Sequence, residues 1–172
     1  MPGDRPLIGD LDALLGRLRP ARRSDAPALL ALKRQAYGKY VPRIDAEPQP
    51  MVADYALMIE DHAIWLIDHP DGAGLLAGLV LRAEHDALVV WSVAVAPAAQ
   101  GQGLGGRLLA FAEAEARRAG LRQLRLFTNE MFTEKLALYR RLGYHETGRE
   151  DYRGRVLVHL HKPLDEPSPK LG

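Results

Sequence analysis

A chain of 172 residues, 47% apolar and 26% charged, is long enough to fold as one domain with a sizeable core. Its 23 Lys and Arg nearly cancel its 22 Asp and Glu, which argues against nucleic-acid binding driven by bulk charge. There is no cysteine, so disulfides, thiolate catalysis and cysteine-ligated metals are excluded. The opening MPGDRPLIGDLD carries acids and glycine where a secretory signal needs an unbroken apolar run. The longest apolar run, ALVVWSVAVAPAA, is too short to span a bilayer. The expectation is a cytoplasmic protein without a membrane segment.

Residues 1–16 carry weak signals and read as a loose arm, 17–164 as one domain, and 165–172 as a frayed tail. RLRPA is a short strand candidate. SDAPALLALKRQAY predicts a helix, with Ser24 as N-cap and Asp25 and Pro27 in the first turn. VPRIDAEPQPM, with three prolines, reads as a loop, and MVADYALMIE as a second helix. AIWLI and GLLAGLVLRA read as strands joined by DHPDGAG. EHD is the next turn. ALVVWSVAV follows, apolar almost throughout, as suits a central strand buried on both faces.

A glycine loop comes next, then a helix with Leu104, Leu108, Phe111 and Ala112 on one face. Two arginines and Gly120, as a left-handed cap, end it. LRQLRLF reads as a strand and TEKLALYRRLG as a last helix ending at Gly143. YHETGRE and RVLVHLHKP form a closing hairpin around DYRG. This order of elements predicts an α+β fold: a mixed, mostly antiparallel central sheet flanked by helices.

The loop GQGLGG, Gly101 to Gly106, fits two spacings. Gly101, Gly103 and Gly106 match the dinucleotide fingerprint of a nicotinamide-dependent oxidoreductase. Gln100, Gly103 and Gly105 match a Gln-x-x-Gly-x-Gly pattern. Either way a helix N-terminus follows, with unpaired N–H groups and a positive dipole end suited to a phosphate. The dinucleotide reading is disfavoured. APAAQ separates the strand from the glycines, barely one strand-helix unit follows, and no acid stands at the end of the next strand. A P-loop is excluded, since no Gly-Lys-Ser/Thr follows. The bland alternative is a tight turn, but four glycines in six positions carry a heavy entropic cost for that alone.

VAVAPAAQGQGLGGRLL resembles the signature of the GNAT superfamily of acyl-CoA-dependent N-acyltransferases. LALYRRLGYHE is similar to that family's late helix and following strand, with Tyr139 and Gly143 in place. RPARRSDAPALLAL and VHLHKPL are similar to its opening and closing elements. The resemblance spans Arg17 to Leu164. It implies acetyl-CoA as co-substrate and no metal. Backbone groups of Val93, Ala94 and Val95 would bond the pantetheine arm, and their N–H groups could stabilise an oxyanion. Gln100, Gly101, Gln102, Gly103, Leu104, Gly105 and Gly106 would form the pyrophosphate cradle, with Arg107 beside it. Tyr139 would protonate the leaving thiolate, which a neutral hydroxyl can do. From spacing alone Tyr139 reads as core, on one helical face with Phe132 and Leu136.

The chain also departs from that pattern. Phe127 stands where many relatives place a catalytic acid, and Phe132 where many place a CoA-contacting Asn. Asn129 is an offset candidate for that contact. Glu84, His85 and Asp86 are candidates for the base, Glu84 first, though turn residues of this kind are mostly just solvated. His159 and His161 share a strand face but have no further ligands at a convincing metal spacing, and read as edge or surface residues.

In the resemblance the region after the first helix lines the acceptor site. That nominates Tyr37, Tyr40, Arg43 and Tyr55, with Arg43 suited to a carboxylate or phosphate and Asp54 to a cationic amine. The expected activity is transfer of an acetyl group to a small-molecule or protein amine, by direct attack because no cysteine can carry the acyl group. The alternative is a non-catalytic CoA-binding regulatory module on the same fold. The family often forms homodimers, so a homodimer is compatible with the resemblance. Neither nucleic acid nor membrane is an expected partner.

Overall fold

The computed structural model describes residues 10–72 and 74–165. The expectations for most of the arm and for the tail beyond Asp165 fall outside them. The helices are α1 (Leu11–Leu15), α2 (Ala26–Tyr37), α3 (Val41–Ile44), α4 (Tyr55–Asp61), α5 (Leu104–Arg118) and α6 (Thr133–Arg141). The strands are β1 (Arg19–Pro20), β2 (Ala63–Asp68), β3 (Leu75–Glu84), β4 (Ala87–Val95), β5 (Gln123–Asn129), β6 (His145–Tyr152) and β7 (Arg155–Pro163). They form one seven-stranded sheet in the order β1-β2-β3-β4-β5-β7-β6. The β4–β5 pair is parallel, with α5 as its crossover. Pairs β1–β2, β2–β3, β5–β7 and β6–β7 are antiparallel. The mixed, mostly antiparallel sheet with flanking helices is as expected.

The described residues divide into two compact units. One comprises residues up to Arg82 together with Trp91–Leu109. The other comprises Ala83–Val90 and the residues from Ala110 onward.

In the first unit, Arg19 fastens β1 to two other elements. Its guanidinium donates to both oxygens of Asp25, at 2.9 Å each, and to both of Asp68, at 2.8 and 2.9 Å. These bonds hold the Asp25 and Asp68 carboxyls below the usual carboxylate range and raise the Arg19 guanidinium. Leu14, Ile67, Leu76, Ala77, Ala99, Leu104 and Leu108 form a buried cluster, with Leu11, Leu15, Val93 and Val95 packed on it.

Four expectations in this unit are corrected. Residues 11–15 are not a loose arm. Asp10 caps α1 by accepting from the Asp12 N–H at 2.9 Å, and Leu11, Leu14 and Leu15 give it an apolar face to bury. Ser24 is not the cap of α2; Asp25 organises that entry, accepting from the Arg22 N–H at 2.7 Å ahead of a 3₁₀ turn at Arg23–Asp25. The stretch 41–51 is not all loop. Pro42 sits in the first turn of α3, where its missing N–H costs nothing, and Gln49–Met51 forms a 3₁₀ turn. The second helix begins at Tyr55 rather than Met51, because the Asp54 carboxylate accepts from the Leu57 N–H at 3.1 Å and fixes its start.

In the second unit, Gly120 and Gly143 have φ of 73° and 92°, the left-handed caps the sequence predicts. Arg153 and Gly154 join β6 to β7 with φ of 50° and 75°, a pairing of positive φ values that matches the twist of a tight hairpin. β7 lies between β5 and β6, so His159 and His161 are not on the sheet edge. The His159 ring packs near Phe127, with Nε2 3.2 Å from Glu150, and His161 Nδ1 lies 3.0 Å from Gln123 Oε1. Among the described residues no three His, Asp or Glu are grouped to hold a metal. Nor, among them, is any helix long and apolar enough to cross a membrane.

Candidate functional site

In the first unit, β4 ends at Val95 and a 3₁₀ turn at Pro97–Ala99 leads into the glycine loop. Gln100 ties the loop to the strand. Its Nε2 donates to the Val95 carbonyl at 3.0 Å, and its Oε1 accepts from Lys39 Nζ at 3.0 Å. Gly101 and Gly103 have φ of 78° and 89°, so both need glycine for backbone reasons. The α5 ladder starts with the Arg107 N–H donating to the Gly103 carbonyl at 3.2 Å. The first-turn N–H groups ahead of it, from Leu104, Gly105 and Gly106, precede any intrahelical acceptor.

Gly105 differs from its neighbours. Its φ is not in the left-handed region, and a Cβ built on it would meet no atom within 4 Å. Neither backbone strain nor packing against the described residues accounts for a glycine there, although glycine is poor in a helix. Leu104 is 1% exposed and anchors the turn in the core, so its side chain points inward. Gln102 donates through Nε2 to the Ala98 carbonyl at 3.4 Å. Arg107 is ion-paired with Asp12 of α1.

The acceptor candidates lie in the same unit. The Tyr37 hydroxyl, pushed above its ordinary range by burial, donates to the Val93 carbonyl at 3.2 Å. Tyr40 is buried, with the Arg43 guanidinium 5.3 Å from its ring centre. Tyr55 donates to the Pro50 carbonyl at 2.5 Å and meets Trp91 edge-on, and burial raises its hydroxyl too. A contact the sequence does not reveal joins α2 to β4: fully buried Lys33 donates from Nζ to Ser92 Oγ at 2.7 Å. A lone lysine in an amphipathic helix reads as solvated, so no sequence signal marks it.

In the second unit, Tyr139 is 5% exposed on the α6 face with Phe132 and Leu136, and its ring lies 5.6 Å from that of Tyr144. Asn129 is buried, and its Oδ1 accepts from the Met131 N–H at 2.9 Å in the turn into α6. Phe127 is 36% exposed and stacks near His159. Glu84 ends β3, and His85 and Asp86 form the turn into β4. Asp86 is engaged there by Gln123 at 3.4 Å and by the Arg122 N–H at 2.9 Å.

Among the described residues, the parallel pair β4–β5 is joined through α5, and a glycine turn opens that helix. The model of the acetyltransferase (GNAT) domain family matches residues 60–146, just over half of the chain, and the chain belongs to that family. Three solved structures illustrate the likeness. The ribosomal-protein-S18-alanine N-acetyltransferase of Escherichia coli is 18% identical, with 90% of this chain and 97% of that one covered at a TM-score of 0.71. The PaiA N-acetyltransferase of Thermoplasma acidophilum, solved with coenzyme A, is 17% identical, covering 86% and 98% at 0.70. A GNAT acetyltransferase of Elizabethkingia anophelis, solved with acetyl-CoA bound, is 19% identical, covering 86% and 97% at 0.62. At these identities the likeness is one of fold. No curated protein sequence matches the chain.

Proposed function

We propose that the protein is an acetyl-CoA-dependent N-acetyltransferase acting on a primary amine. The observation that carries this is Gly105, a glycine that neither backbone strain nor packing against the described residues requires, in the first turn of α5. A ligand that must approach the backbone closely would require it, and a pyrophosphate on first-turn N–H groups is such a ligand. Two neighbours by fold were solved with CoA or acetyl-CoA, which supports the same ligand class.

In this reading Gly101 to Gly106 cradle the pyrophosphate, with Gln100 pinning the loop to β4. The β4–β5 ladder runs from Ala87–Gln123 to Val89–Arg125. Val93 to Val95 lie beyond it and carry the pantetheine-binding role. The neutral acceptor amine attacks the thioester carbonyl. The tetrahedral oxyanion then collapses, the C–S bond breaks, and the thiolate takes a proton from the Tyr139 hydroxyl. The amine proton leaves to a base, and Tyr139 is reprotonated from solvent.

Glu84, at the end of β3, is the candidate for that base, directly or through water. Arg43 is the candidate for an anionic group on the acceptor.

Titration with acetyl-CoA, CoA and NADH, followed by CoA release across a panel of amines, amino acids and aminated antibiotics, tests the reading. Tight CoA binding and amine-dependent release are expected. Binding without release for any amine would favour the regulatory module, and NADH binding alone would overturn both.

A further inference from the structure

Lys39 is an exposed residue in the 3₁₀ turn Gly38–Tyr40, between two buried tyrosines that fix the turn. Tyr37 is bonded to the Val93 carbonyl, and Tyr40 is 2% exposed. Among the described residues the Lys39 ammonium has two contacts, and both are with neutral groups. It donates to Gln100 Oε1 at 3.0 Å and lies 5.2 Å from the Tyr40 ring centre. The other cation at the loop, Arg107, is already matched by the Asp12 carboxylate. A positive charge is therefore held against the residue that opens the glycine loop, and neither contact neutralises it.

Gln100 relays this placement. Its amide is polarised between the Val95 carbonyl and the ammonium, so Lys39 is fixed relative to the end of β4 as well as to the loop.

Resting on the CoA reading above, we propose that Lys39 is a phosphate-recognition residue: it meets the phosphate charge of the co-substrate beside Gln100. It thereby sets the preference for CoA thioesters over thioesters that lack phosphate.

The test compares acetyl-CoA with S-acetylpantetheine, which lacks every CoA phosphate, in the wild type, Lys39→Gln and Lys39→Arg. Lys39→Gln keeps an amide donor for Gln100 but removes the charge. Its KM for acetyl-CoA should rise about tenfold, with a shallower dependence on salt, while its KM for S-acetylpantetheine stays unchanged. Lys39→Arg should stay near the wild type on both. If Lys39→Gln matches the wild type on acetyl-CoA at every salt concentration, the ammonium only positions the loop and the assignment fails. It fails equally if both thioesters weaken together. A wild-type chain that binds neither acetyl-CoA nor CoA overturns the CoA reading itself.

Discussion

Gly105→Ala separates what the fold needs from what a ligand needs. The new methyl would meet nothing within 4 Å, and φ at this residue is compatible with alanine. Replacing glycine in a helix interior gains about 1 kcal/mol, and roughly half of that is reasonable in a first turn. For a chain of this size the melting temperature should then rise by about 1 to 2 °C. The same methyl would occupy the approach to the first-turn N–H groups. Losing one charge-assisted hydrogen bond costs about 1.5 to 3 kcal/mol, so the acetyl-CoA Kd should weaken by about 10- to 100-fold. Differential scanning calorimetry and isothermal titration on one preparation read both quantities. Gly103→Ala is the internal control: at φ 89° an alanine is strained by about 1 to 2 kcal/mol and should lower the melting temperature. If Gly105→Ala is stabilised and still binds acetyl-CoA like the wild type, the phosphate-cradle reasoning is refuted.

Three further outcomes are expected. Tyr139→Phe keeps the ring against Tyr144 but removes the hydroxyl, and kcat should fall by about 100-fold or more with acetyl-CoA binding retained; unchanged turnover across a pH–rate profile would remove the role. Arg19→Met strips Asp25 and Asp68 of the partner that holds their carboxyls below the usual range, and at neutral pH it should cost about 1 to 3 kcal/mol, mostly through the less exposed Asp25. Because both folded-state carboxyls titrate below their ordinary values, that contribution is present above about pH 4 and is lost as the pH falls through them. Urea midpoints of wild type and variant should therefore converge in acid, and a constant gap down to about pH 2 would contradict the assignment. Ser92→Ala takes one hydrogen-bond acceptor from the fully buried Lys33 ammonium and should cost about 1 to 3 kcal/mol in chemical denaturation, whereas an unchanged midpoint would show the bond to be dispensable.

Local information carried much of the chain. The apolar run at β4, the helical period of α5, and the glycines after α5 and α6 set these elements before any tertiary contact is considered. The spacing of Gln100, Gly103 and Gly105, with a second block around Tyr139, marked the family that the domain match also assigns. Where local reading failed, side-chain partners decided. Asp54 and Asp25 moved two helix starts, and a core contact ordered residues 11–15.

The sequence by itself determined the periodicities, the turns that demand positive φ, and the family motif, because each depends on residues a few positions apart. It could not tell which glycine is needed by the backbone and which is not. That distinction needs φ and the space around each Cβ, and it singles out Gly105 from Gly101 and Gly103. Nor could it join Lys39 to Gln100, or Lys33 to Ser92, residues about sixty positions apart in the chain. Only folding brings such groups within hydrogen-bond reach, since a bond is short and directional while sequence patterns report faces rather than partners. Tertiary structure thus decided how charge is placed at the loop, with Asp12 matching Arg107 while Lys39 meets neutral groups.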